Sequence, residues 1–134
     1  MEISVISGSS CIFSYNRPIG ILANFLTDDI GFRDIKYMID WIKNDKYKVT
    51  TLNYSFIKKS GKNIHIYFLY DSYGINEHKK REKFETTKED LINILKQWKD
   101  ITKVRGLIFL NKEGGKTSIS IGKITRNKYE QKNN

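Results

Sequence analysis

The clearest periodicity in the chain lies between Lys83 and Ile121. Leu91, Ile94, Leu95, Trp98 and Ile101 recur at helical spacing, and Lys88, Asn93, Lys96, Lys99 and Lys103 fall largely on the opposite side. Thr87 stands three residues before Asp90, the spacing of a capping box with the shorter Asp replacing Glu or Gln, so the helix is expected to begin there. A short strand, Glu82-Lys83-Phe84-Glu85, precedes it. Leu107-Ile108-Phe109-Leu110 and Thr117-Ser118-Ile119-Ser120-Ile121 follow, flanking a polar loop whose Gly114-Gly115 can adopt the positive φ of a hairpin. The unit reads strand, helix, hairpin.

Upstream, Ile3-Ser4-Val5-Ile6 and Cys11-Ile12-Phe13-Ser14-Tyr15 flank Gly8-Ser9 and predict two antiparallel strands. Pro18 biases Arg17 toward extended backbone, which places a loop before Ile19. Ile21 to Leu26 is a brief apolar run interrupted only by Asn24 and fits a short helix or a buried strand equally. A second helix is expected from about Phe32 to Asn44, with Ile35, Met38, Ile39 and Ile42 on one face and Tyr37 and Trp41 as core wall at its border. Lys48 to Ile57 alternates as one strand, Ser60-Gly61 turns, and Ile64 to Tyr70, rich in aromatic and β-branched residues, is expected at the centre of the sheet. Together these predict an α+β domain over residues 1–122, with two principal helices on a mainly antiparallel sheet of about six or seven strands. Residues 123–134 read as a polar, frayed tail.

Composition narrows the function classes. With 134 residues the chain can bury a core without staples, and its single cysteine, Cys11, admits no intrachain disulfide. The N-terminal residues lack a secretory pattern and no run is long enough for a membrane span, so a cytoplasmic protein without a membrane partner is expected. The formal net charge of +9 is uneven, because residues 1–35 carry −2 and the remainder +11. Such an excess attracts polyanions or an acidic protein face without choosing between them. Lys79-Lys80-Arg81 is not a basic arm, since residues 76–90 hold five basic and five acidic side chains.

No Walker loop, Gly-x-Ser-x-Gly, His-Glu-x-x-His or Cys-x-x-Cys pattern is present, and no metal or cofactor is expected. His65 and His78 could act as acid and base in metal-independent RNA cleavage, although His65 lies in an apolar strand that favours a structural role. Tyr47, Tyr54, Phe56, Lys58, Lys59 and Lys62 combine rings and cations in the manner of a nucleic-acid-binding surface.

The run from Phe84 through Trp98 to Ile101, with the hairpin that opens at Gly106-Leu107-Ile108-Phe109-Leu110, resembles small immunity proteins of polymorphic and contact-dependent toxin systems. The likeness covers about 40 residues of the 134. It implies a non-enzymatic protein that binds a cognate toxin domain, such as a nuclease, through a complementary surface. Contact would then fall on the acidic residues Glu2, Asp28, Asp29 and Asp34, or on the basic Lys58, Lys59, Lys62, Lys79, Lys80 and Arg81.

Overall fold

The computed structural model describes residues 2–7, 10–14, 16–30, 35–70, 82–101 and 107–122. Two four-stranded antiparallel sheets and three α-helices make an α+β fold. The first sheet has the order β2-β1-β7-β8, built from β1 (Glu2–Ser7), β2 (Ser10–Ser14), β7 (Leu107–Glu113) and β8 (Lys116–Gly122). The second has the order β3-β4-β5-β6, built from β3 (Val49–Thr51), β4 (Ser55–Ser60), β5 (Asn63–Phe68) and β6 (Phe84–Thr87). The antiparallel class and the number of strands come close to expectation, but the strands divide between two sheets instead of sharing one.

The helices supply the second difference. Pro18 does not end a loop; it occupies the first turn of α1 (Arg17–Asn24), where its missing N–H costs no helical bond. The extended residue is Asn16, at φ −118° and ψ 145°. The apolar run after it is helical, so the two expected helices become three, with α2 (Ile35–Lys43) and α3 (Lys88–Ile101). A π-helical segment, Phe25–Ile30, continues α1, and within it the Thr27 hydroxyl donates to the Ala23 carbonyl at 2.9 Å. Ile19, Ile21, Leu22, Ala23, Phe25 and Leu26 are fully buried, because α1 packs against β1, β2 and β7 of one sheet and β5 and β6 of the other. Gly20 permits that approach: a Cβ there would lie 2.8 Å from Ser14 Oγ.

Helix α3 spans the predicted residues and buries Leu91, Ile94, Leu95 and Trp98 against β8, β6, β5 and α2. Its Thr87 cap is real, since the Asp90 N–H donates to Thr87 Oγ1 at 3.0 Å. On α2, Trp41 is core wall as expected but Tyr37 is not, being 67% exposed. The anticipated strand from Lys48 to Ile57 is interrupted by a turn at Leu52-Asn53-Tyr54 and becomes β3 and β4. Hairpins β4–β5 and β7–β8 each turn through two residues, with positive φ only at the first, Gly61 at 59° and Gly114 at 63°. That is the type II′ pattern, which glycine satisfies at low cost. The predicted tail, 123–134, and the charged run around Lys79 lie outside the described residues.

Candidate functional site

Two of the expected contact residues serve the fold. Lys59 shares the inner face of β4 with Ser55 and Ile57 and is only 3% exposed, so it does not offer its charge to a partner at the surface. Its Nζ donates to the Trp41 carbonyl at 2.6 Å and to the Asn44 carbonyl, and lies 4.0 Å from the Trp41 ring centroid. The ammonium thereby meets the negative end of α2. Burial holds its pKa below 10.5, reinforced by Lys88 and Lys48 and opposed by Asp45. Asp29, half-buried, accepts the Tyr54 N–H through Oδ1 at 2.8 Å. Desolvation raises its pKa above 3.8, and Asp28 adds to this, while the nearby Ser55 hydroxyl and the Tyr54 and Asn53 amides pull it back.

The bond from Asp29 shapes a surface. It fixes the turn between β3 and β4 from one side, and the Leu69 N–H fixes it from the other by donating to the Tyr54 carbonyl at 2.8 Å. Tyr54 is thus presented on an anchored backbone, 42% exposed, with its ring edge-on to Tyr70 at 5.9 Å. Tyr70, 67% exposed, meets Phe68 at the same separation, and the Arg17 guanidinium lies 5.6 Å over the Phe68 ring. An exposed Asp28 lies next to Asp29 in the chain. This corner combines two exposed tyrosines, an arginine and acidic residues on constrained backbone.

The basic residues are elsewhere. Lys62 is in the β4–β5 turn, at the far end of β4 from Tyr54, roughly 20 Å away at strand rise. Lys58 is exposed on the outer face of β4, midway between. Among the described residues, Asp28 and Asp29 therefore lie on a different surface from Lys58 and Lys62. Asp34, Lys79, Lys80, Arg81 and His78 lie outside the described residues. Arg17 and Tyr70 carried no sequence signal beyond residue type, because Arg17 reaches their common neighbour Phe68 only when α1 packs on β5.

His65 projects from the outer face of β5, where its Nε2 lies 2.6 Å from Glu85 Oε2 across the strand pair. Among the described residues, no group of three His, Cys, Asp or Glu side chains is placed to hold a metal ion. No described helix is long and apolar enough to cross a membrane.

No protein-family model, curated protein or solved structure matches the chain. The assignment of a role thus rests on the surfaces themselves.

Proposed function

We propose that this chain is an immunity-type protein that binds a cognate bacterial toxin domain in the cytoplasm and neutralises it without catalysing a reaction. The observation that carries this reading is the corner formed by Tyr54, Tyr70, Phe68 and Arg17. Tyrosine and arginine dominate the energetics of protein interfaces, since each delivers a large contact area together with a polar handle. Here the tyrosines are exposed yet held by neighbouring rings and by a turn hydrogen-bonded on both sides, so little conformational freedom remains to be lost on binding. The exposed Asp28 gives the rim negative charge, which suits the basic cleft of a nuclease. The resemblance of the β6–α3–β7–β8 unit to immunity proteins supports the same reading, with that unit acting as scaffold.

Co-expression with the product of the neighbouring reading frame tests it. A stable complex and protection of the host cell are expected. Combined Tyr54→Ala and Tyr70→Ala substitution should weaken the complex by roughly 30-fold or more, in line with loss of interface anchors, while the circular dichroism spectrum stays unchanged. Absence of both complex and protection would sink the proposal.

A further inference from the structure

An open sheet ends in edge strands whose outward N–H and C=O groups meet either water or a partner. Side chains reach the open side of two such strands. On β8, the Thr117 N–H donates to Asp90 Oδ1 at 2.9 Å and the Ile119 N–H to Gln97 Oε1 at 3.0 Å, while Gln97 Nε2 donates to the Thr117 carbonyl at 3.4 Å. The Gln97 amide thus takes the place of a further strand. On β6, Lys112 Nζ donates to the Glu85 carbonyl.

The β3 edge is different. The Lys59 N–H donates to the Lys48 carbonyl at 2.7 Å and the Leu52 N–H to the Ser55 carbonyl at 2.8 Å, on either side of a register that pairs Thr50 with Ile57. An antiparallel ladder alternates bonded and unbonded pairs, so Lys48, Thr50 and Leu52 turn their backbone toward β4, and Val49 and Thr51 turn theirs outward. Val49 is 51% exposed and Thr51 is exposed as well. Among the described residues, nothing hydrogen-bonds to those outward groups. The surroundings are basic: residues 41–70 hold six lysines and one carboxylate, Asp45, which pairs with Lys88 at 3.6 Å. Lys46 and Lys48 are exposed beside the edge, and Lys58 is exposed opposite Val49.

We infer that β3 is a docking edge for an extended, carboxylate-bearing segment of a partner protein, which adds to the second sheet as a fifth strand. Main-chain bonds to Val49 and Thr51 hold such a segment, and the lysines select its charge. Lysine at an edge discourages pairing with uncharged or basic strands, so an acidic strand is the one this edge admits. A second copy of the chain suits it less, because each copy carries +9 and brings its own lysines to the contact. A polynucleotide backbone has phosphate acceptors but no N–H donors for the outward carbonyls. The inference does not depend on the immunity reading, and its test uses no toxin.

The probe is a synthetic eight-residue peptide alternating Glu and Val, followed by fluorescence anisotropy at about 20 and 300 mM sodium chloride and by amide hydrogen exchange of the full chain. Saturable binding that weakens at the higher salt is expected, and N-methylation of the peptide's amides should abolish it. In the chain alone the Val49 and Thr51 amides should exchange freely, and saturating peptide should slow both about tenfold or more, with little change at Thr50. Combined Lys46→Gln and Lys48→Gln should weaken binding about fivefold and flatten its salt dependence. Thr51→Pro, which removes an outward N–H and leaves the bonds to β4 in place, should weaken it about fivefold or more. If Thr51→Pro proves unfolded, the lysine variants and the N-methylated peptide decide. Absence of binding at the lower salt, equal binding of a Lys/Val peptide, equal competition by oligo(U), undiminished binding of the N-methylated peptide, wild-type affinity in the lysine variants, or Val49 and Thr51 amides already protected in the chain alone, as monomer or dimer, would overturn the inference.

Discussion

Nζ of Lys59 reaches the carbonyls at the end of α2, a place where the last turn of a helix has acceptors to spare. Residue type alone put this lysine among the exposed ones, yet its strand position pointed inward: Ile57 is two residues before it, and alternation carries both to one face. Parity was the usable signal, and it outweighs residue type when a buried cation has carbonyls and an indole to meet. Lys59→Met should lower stability by about 1–2 kcal/mol at neutral pH, because two carbonyls lose a charged donor. The pH dependence has a definite sign. The folded-state pKa is depressed, so between that value and 10.5 the unfolded chain holds more protons, and this group adds stability as pH rises. The deficit of Lys59→Met relative to wild type should therefore widen on moving from neutral pH toward about pH 10. Urea denaturation at a series of pH values measures it, and a constant or shrinking difference would contradict the assignment.

At the scale of elements, α3 was the most legible part, because amphipathic spacing and a cap are local properties. The sequence pointed to the Thr87 cap but not to the use of Asp90, whose carboxylate leaves the helix altogether. Oδ2 accepts the Thr86 and Thr117 hydroxyls at 2.5 and 2.8 Å, and Oδ1 accepts the Thr117 N–H at 2.9 Å. One side chain thus ties β6, the start of α3 and β8 together, joining the two sheets across 27 residues of chain. Asp90 is 6% exposed, so water cannot replace it. Asp90→Ala leaves buried donors unpaired and also removes a negative charge from the first turn, where the helix dipole favours it. The expected loss is about 3 kcal/mol, or roughly 10 °C in Tm for a chain of this size. Thermal denaturation followed by circular dichroism measures this loss; a shift below about 3 °C would show that the network is not a structural tie. The short apolar run in α1 was undecided for a related reason: of Ile21 to Leu26 every residue but Asn24 is buried, which erases the periodicity that separates helix from strand.

The division into two sheets belongs to the whole molecule. Ser4 pairs with Leu110 and Ile6 with Ile108, so alternation within each strand agrees with the register, but that β1 and β7 become neighbours at all depends on long-range packing, including that of α1 against both. The same is true of the aromatic corner, since Tyr54, Tyr70 and Arg17 come from three separate segments. Net charge, by contrast, can be counted directly, and at +9 its long-range consequence is repulsion within the compact state. Local pairs offset this only slightly. Arg17–Glu82 at 3.9 Å and Lys88–Asp45 at 3.6 Å each have at least one largely exposed partner, and pairs of that kind contribute about 0–1 kcal/mol. Lys59 adds to the imbalance, because it is buried near Lys88 and Lys48, with only Asp45 opposing them. Raising sodium chloride from about 20 to 300 mM shortens the screening length from roughly 20 Å to about 6 Å, which suppresses the distant repulsions more than the close pairs. The wild-type Tm should therefore rise by a few degrees over that range, and Lys59→Met should show a smaller rise than wild type. Differential scanning calorimetry across the salt series measures both, and a Tm that falls with salt would mean that the attractive pairs, not the net charge, govern the electrostatics of this fold.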